Sequence, residues 1–296
     1  MTPVVVEAAI NGATPKARNP HVPLAPEEIA ADALACLAAG AAIVHNHIDD
    51  FALSGAAAAE RYLAGWRAVL RARPDAILYP TVAVGGAVAE RFAHVGPLAE
   101  AGATRMGVLD PGSVNLGAAG EDGLPGPVEF VYVNSYADVR WVVALLARHR
   151  LGPSISIFEP GFLRTTLAYH RAGRLPAGAF VKLYFGGDRG YLGGGPGGVT
   201  FGLPPTRTAL EAYLELLGDA RLPWAVAVLG GDVVECGLAR LALERGGHVR
   251  VGLEDHAGAR TPSNAELVAE VVALASAVGR PLAGPAEAAR LLGLPR

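Results

Sequence analysis

Two short stretches, far apart in the chain, carry residue types that bind metals and move protons: His45-Asn-His47 and Arg250-Val-Gly-Leu-Glu254-Asp255-His256. Each closes an apolar, β-branched run that reads as a strand. Side chains two apart on a strand point to the same face, so His45 and His47 offer two imidazoles to one side, where they can share an ion. Taken alone, the pair equally fits two histidines hydrogen-bonded at a strand end. The second stretch adds a cation, two adjacent carboxylates and a third histidine, and charges at a strand end are costly unless paired or metal-bound. The plainer alternative is an Arg250–Asp255 salt bridge at a rim. Two histidines and one carboxylate leave a coordination position open, as catalytic zinc sites do. Spacing does not decide which carboxylate binds. Glu254 and Asp255 should point in different directions, so one can ligate while the other stays free as a general base.

The elements that must bring these stretches together alternate along the chain. Strands are expected at 4–10, 42–47, 76–82, 104–109, 154–158, 179–185, 224–229 and 249–253. Helices are expected at 27–39, 57–71, 88–101, 136–149, 161–172, 206–217, 234–244 and 264–278. Pro26 announces the first helix and Gly40 closes it. Such a series of β-then-α units implies a parallel sheet, and a count near eight implies a single (β/α)8 TIM barrel over residues 1–296. A doubly wound open sheet is the competitor, but no dinucleotide fingerprint follows the first strand, where Gly12 stands almost alone. In a closed barrel the eighth strand lies beside the first, so Glu254 and Asp255 end one strand away from His45 and His47, on the catalytic face. The glycine-rich stretch 186–198 follows the sixth strand. It can approach a ligand closely or act as a lid, or serve as a plain surface loop; no GKS or GKT ending makes it a phosphate loop.

Composition narrows the partners. Of 296 residues, 51% are hydrophobic and 18% charged, with a net charge of −3, which is material for one large core. No basic stripe exists to neutralise a nucleic acid. No uninterrupted apolar run has membrane length, and Met1-Thr-Pro-Val-Val-Val has no basic leader. Cys36 and Cys236 form no CxxC pair, which favours a reduced, cytoplasmic protein. Glu159, after the fifth strand, falls on the catalytic face and is a substrate-contact candidate, as are Asn11 and Ser113. Glu7 either reaches the surroundings of the metal or forms a buried ion pair with Lys16 or an arginine. His256 is a candidate partner of a metal ligand; His21, His94, His149, His170 and His248 show no ligand spacing.

The chain resembles the β-keto acid cleavage enzymes. The resemblance runs through Glu7-Ala-Ala-Ile-Asn-Gly-Ala, Pro20-His-Val-Pro-Leu-Ala-Pro-Glu-Glu, Ala39-Gly-Ala-Ala-Ile-Val-His-Asn-His-Ile, Asp110-Pro-Gly-Ser-Val-Asn and Gly247-His-Val-Arg-Val-Gly-Leu-Glu-Asp. It continues in order to Gly279-Arg-Pro-Leu. The resemblance implies a zinc-binding (β/α)8 barrel, a homotetramer, and a reaction of a β-keto acid with acetyl-CoA giving acetoacetate and a new acyl-CoA. It implies His45, His47 and Glu254 as zinc ligands, Asp255 as base and Arg250 as the residue that orients it. Two histidines and a carboxylate also suit other divalent transition metals. The chain departs from its relatives at substrate positions: Thr14 stands where the aminohexanoate enzyme carries an acid, and Ala83 and Val108 where it carries a serine and a threonine. Asp49 replaces the arginine after HxHI, and the Gly230-Gly-Asp232 turn another arginine. These changes point to a neutral or hydroxylated acyl tail rather than an amino-bearing one. A metal-dependent hydrolase on the same barrel, or a catalytically silent binding protein, are the rival readings.

Overall fold

The computed structural model describes residues 2–127, 129–190 and 197–295. Eight strands, β1 (Val6–Ala9), β2 (Ile43–Asn46), β3 (Ile77–Pro80), β4 (Met106–Leu109), β5 (Gly152–Ile157), β6 (Phe180–Gly186), β7 (Trp224–Leu229) and β8 (His248–Val251), run parallel in the order β3-β2-β1-β8-β7-β6-β5-β4. β3 and β4, the two ends of this order, approach each other and leave the barrel nearly closed; just before β4 the Thr104 hydroxyl donates to the Leu78 carbonyl at 2.8 Å. Around it lie α1 (Pro26–Ala39), α2 (Gly55–Ala72), α3 (Val88–Arg91), α4 (Val95–Glu100), α5 (Tyr136–Arg148), α6 (Pro160–Arg171), α7 (Arg207–Leu217), α8 (Leu238–Glu244), α9 (Asn264–Ala277) and α10 (Pro285–Leu292). The expected single-domain (β/α)8 barrel is what forms. Among the described residues no helix is long and apolar enough to cross a membrane.

Strands buried on both faces need apolar residues throughout. Ile43, Val44, Ile77, Leu78, Ile155, Ile157, Val181, Leu183, Val226 and Val228 meet that need, each at most 2% exposed. The helices seat on them through small and aliphatic faces. On α2, Ala58, Ala59, Tyr62, Leu63, Trp66 and Val69 recur at helical spacing and are buried. Pro26 stands at the start of α1, and Gly40, at φ 117°, ends it in the left-handed conformation that glycine adopts without steric cost.

The expected helix over 88–101 is two short helices, α3 and α4. Pro97 supplies no N–H and its ring crowds the carbonyl four residues back, so one continuous helix cannot pass. The expected helix over 234–244 begins later, at Leu238. The Asp232 carboxylate accepts from the backbone N–H groups of Val234 and Glu235 at 2.9 and 3.1 Å, and Gly237 has φ 79°, so 232–237 is a capped turn. Of the glycine-rich stretch, 191–196 lie outside the described residues, and with them the lid reading. Its described flanks are pinned: Gly187 donates to the Leu229 carbonyl and Arg189 to the Gly230 carbonyl, at 2.8 and 2.9 Å.

After β8 the chain turns sharply at Gly252, whose φ is 147° and where a Cβ would run into the backbone of Ala9. Only glycine lets the end of β8 fold over the end of β1, where the Glu254 N–H donates to the Ala9 carbonyl at 3.1 Å. Gly252→Ala is therefore expected to lose about 3 kcal/mol or more of stability through combined overlap and backbone strain. Urea unfolding followed by circular dichroism will show a clearly lowered midpoint; an unchanged midpoint would refute the steric account.

Candidate active site

At the end of β2, Asn46 turns outward, its Oδ1 accepting from the Trp66 indole N–H of α2 at 2.8 Å. Strand alternation then sends His45 and His47 to the opposite, inner side. Tyr79, in register with His45 on β3, stacks its ring on the imidazole with centroids 4.4 Å apart. The His45 Nδ1 lies 3.2 Å from the Tyr79 carbonyl, which can only accept, so the proton sits on Nδ1. Burial pushes the His45 pKa down to about 3, so the ring is neutral and Nε2 holds a lone pair. That lone pair faces Glu254 Oε2 at 3.3 Å, and His47 Nε2 faces Glu254 Oε1 at 3.4 Å.

Burial alone would raise the Glu254 carboxyl, yet the Arg250 guanidinium holds it well below the usual carboxylate range. A lone pair pointed at a carboxylate oxygen is repulsive unless a cation lies between them. Both His47 ring nitrogens and Glu254 Oε2 are buried with no hydrogen-bond partner, a cost that proteins seldom leave uncompensated. Ligand atoms of His45, His47 and Glu254 all lie within 4.8 Å of one another, and no other such group of three occurs among the described residues. The residues fit a divalent metal on the chemistry of the donor set. Of the two carboxylates that spacing left open, Glu254 is the one turned toward both histidines.

Asp255 turns the other way. Its Oδ2 accepts from Arg250 Nε at 2.8 Å and its Oδ1 from Arg250 Nη2 at 3.0 Å, a two-pronged grip. Burial raises the Asp255 pKa above the ordinary aspartate range, while the Arg250 charge opposes the rise. Arg250 also approaches Glu254 Oε1 through Nη2 at 3.0 Å and donates from Nη1 to Glu7 Oε1 at 2.9 Å. The Arg250–Asp255 pair is thus real. It lies in the barrel interior, with Arg250 only 2% exposed, and touches a member of the histidine–carboxylate cluster as well.

Other expected residues fall nearby with varied employment. Asn11 receives the N–H of His47 on Oδ1 at 2.8 Å and donates from Nδ2 to the His47 carbonyl at 3.0 Å, so it holds that residue's backbone from both sides. Thr14 is buried beside the end of β8, its hydroxyl donating to the Leu253 carbonyl at 2.8 Å. Val108 is buried on β4, and Ala83 lines a cavity of about 260 Å³ with Arg91, Tyr132 and the 84–88 turn. Glu159 caps the start of α6 in sequence, but its Oε1 accepts from the Gly202 N–H at 2.9 Å. Ser113 ties down Asn134 by two hydrogen bonds. His256 reaches Asp232 at 3.4 Å and no member of the cluster. Glu7 pairs with Arg250 and Lys182, while Lys16 pairs at the surface with Glu28. Asp49 pairs with Arg61 of α2. A larger depression of about 850 Å³ lies on the helical jacket around α6 and shares no residue with the cluster.

Sequence reasoning passed over Tyr79, Lys182 and Asp110. Lys182 was marked by a lone charge inside Phe180-Val-Lys-Leu-Tyr-Phe, and Tyr79 by a hydroxyl in an apolar strand. Asp110, at the end of β4, accepts from the Tyr132 hydroxyl at 2.5 Å, and burial raises its pKa.

A profile of the beta-keto acid cleavage enzymes matches residues 3–294. The chain is 30% identical to a 3-oxoadipate:acetyl-CoA acetyltransferase of Cupriavidus necator, over 99% of this chain and 95% of that protein. It is also 30% identical to a 3-keto-5-aminohexanoate cleavage enzyme of Fusobacterium nucleatum, over 99% of each. Among solved structures, apo ObcA superposes with a TM-score of 0.70 at 20% identity, over 94% of this chain and 66% of that one, a likeness of fold.

Two substitutions test the geometry. A Cβ at Gly12, whose φ is 55°, would overlap the Glu254 side chain, so Gly12→Ala should displace that carboxylate and weaken divalent-metal binding. Asn11→Ala should loosen His47 and cost 10–100-fold in metal affinity. Calorimetric titration of metal-stripped protein measures both; wild-type affinity in both variants would contradict the arrangement.

Proposed function

The chain belongs to the beta-keto acid cleavage enzyme family, and from that footing we propose that it transfers an acyl group between a β-keto acid and acetyl-CoA, giving acetoacetate and a new acyl-CoA. The observation that carries the reading is the meeting of His45, His47 and Glu254 around one point, with Asp255 held next to them by Arg250. His45, His47 and Glu254 would hold zinc or another divalent transition ion, which supplies Lewis-acid polarisation of the substrate's keto and carboxylate oxygens. Charge supports this. Among the groups linked by ion pairs through Arg250 and Lys182, the carboxylates of Glu7, Glu254 and Asp255 outnumber the two cations, and the buried Asp110 carboxyl lies near the same pair. A divalent cation held at the ligand cluster would offset that acidic surplus.

Asp255 takes a proton from the carbon between the keto and carboxylate groups. Its raised pKa makes it a stronger base than an ordinary aspartate, and the Arg250 fork fixes the plane of its carboxylate. The resulting carbanion attacks the thioester carbonyl of acetyl-CoA and expels the CoA thiolate. The thiolate then attacks the original keto carbon, the bond to the former α-carbon breaks, and Asp255 returns its proton to acetoacetate. Atoms balance without a further reagent.

Thr14, Ala83 and Val108 face the acyl tail in this reading, with Glu159 at the far side of the mouth. The Thr14 hydroxyl is committed to Leu253, and Ala83 and Val108 bring no charge, which supports a neutral or hydroxylated tail. The resemblance supports a homotetramer. The two unpaired cysteines, Cys36 and Cys236, support work in the reducing cytoplasm.

A panel of β-keto acids with acetyl-CoA, scored for acetoacetate, tests the reaction. Turnover should disappear on chelation, return on adding zinc, and fall at least about 1,000-fold in a His45→Ala/His47→Ala double variant, as loss of an oxyanion-stabilising group does. CoA-independent hydrolysis would instead indicate a hydrolase, and wild-type rates in the double variant would end the reading. For the tail, 3-oxohexanoate should turn over with higher kcat/KM than 3-keto-5-aminohexanoate; a clear preference for the amine would refute the assignment of Thr14, Ala83 and Val108.

A further inference from the structure

Beside the metal-ligand cluster lies a charged layer that none of the roles above employs. Glu7 from β1, Tyr79 from β3 and Lys182 from β6 are each at most 1% exposed; Glu7 and Tyr79 both meet Arg250 of β8, and Lys182 joins them through Tyr79 and Glu7. Tyr79 donates its hydroxyl to Glu7 Oε1 at 2.6 Å, and Lys182 Nζ donates to the Tyr79 oxygen at 2.8 Å. Lys182 lies 3.4 Å from the same Glu7 oxygen. The directions are forced. An ammonium only donates and a carboxylate only accepts, so the tyrosine hydroxyl must take from one and give to the other.

Stability does not account for this layer. Each buried ion costs several kcal/mol to desolvate, and well-packed apolar residues in place of such a network are often neutral or stabilising. Most other buried strand positions are filled that way, by valine, isoleucine, leucine and alanine, with Ser154, Ser156 and His248 among the polar exceptions. What the layer does touch is informative. At one end Glu7 grips Nη1 of Arg250, the side of the guanidinium opposite the fork that holds Asp255. At the other, Tyr79 contacts His45 twice, through the stacked ring and through its carbonyl on Nδ1. One connected set of side chains therefore spans a metal ligand and the base.

We propose that Lys182, Tyr79 and Glu7 are positioning residues that fix the distance between the metal-bound keto acid and the Asp255 carboxylate. The inference rests on the reaction assigned above. Removing a proton from a carbon whose oxygens are held elsewhere demands that the two anchor points not drift, since small misplacements cost large factors in rate. Arg250 sets the orientation of Asp255, Glu7 sets Arg250, and Lys182 with Tyr79 sets Glu7.

The test uses the metal-loaded full chain and three variants, Tyr79→Phe, Lys182→Met and the double. Tyr79→Phe keeps the ring on His45 and removes only the hydroxyl, so it carries the test even where Lys182→Met folds poorly. Each single variant is expected to lower kcat 10–100-fold, with the KM for acetyl-CoA within about twofold of wild type. Because the Lys182 ammonium and the Tyr79 hydroxyl bond to each other and meet the same Glu7 oxygen, their losses are coupled, and the double should lose less than the product of the two single losses. Calorimetric titration with zinc should still give one ion per chain in Tyr79→Phe. Wild-type kcat in the metal-bound single variants, or losses that multiply in the double, would overturn the inference while wild-type turnover keeps the parent reaction intact. Absence of turnover in the wild-type enzyme would overturn both.

Discussion

A single guanidinium, buried to 2% exposure and gripped by three carboxylates, organises the centre of this barrel. Arg250 uses the two edges of its planar fork differently. Nε and Nη2 hold Asp255, Nη2 also reaches Glu254, and Nη1 points back to Glu7. A lysine in the same place would offer a point charge with no preferred plane and could not hold Asp255 by two parallel hydrogen bonds while leaving Glu254 turned toward the histidines. Remove that charge and three carboxylates share one apolar interior with Lys182 as their remaining buried cation, an arrangement that burial would convert to protonated acids.

Backbone devices that have nothing to do with acid–base chemistry deliver this arrangement. Gly252 lets the end of β8 fold across Ala9, and Gly12 leaves room for the Glu254 side chain. Asn11 pins the backbone of His47 from both sides, and Trp66 draws Asn46 outward so that its neighbours face in. Each places one donor; together they aim three ligand atoms at one point before any ion arrives. Preorganisation of this kind keeps the cost of assembling a site out of the reaction itself. A coordinated cation would also satisfy the buried, unpartnered Nε2 of His47.

The peripheral positions carry a different constraint. Under the proposed function Thr14, Ala83 and Val108 face the acyl tail and bring no charge, while the Asp49 carboxylate is neutralised by Arg61 from the neighbouring helix. In that reading the centre carries the chemistry common to the family, and the rim carries the choice of substrate. That division suits a barrel, whose strands fix the reacting groups and whose loops vary independently.

The local sequence by itself determined the elements, because strand and helix periodicity, Pro26 and Gly40 act over a few residues. It also placed His45 and His47 on one face, since alternation along a strand is a local rule. It could not choose between Glu254 and Asp255, whose directions depend on a turn at Gly252 made possible only by the closeness of Ala9. Nor could it break the helix at 92–94 or start α8 late, where Pro97 and the Asp232 cap act against a favourable apolar pattern. Glu7 looked as ready to pair with Lys16 as with an arginine. Its true partners, Arg250 and Lys182, lie 243 and 175 residues away and meet it only inside the closed ring. Charge pairing across a barrel is decided by which strands become neighbours and in what register, and that information exists only once the sheet has closed.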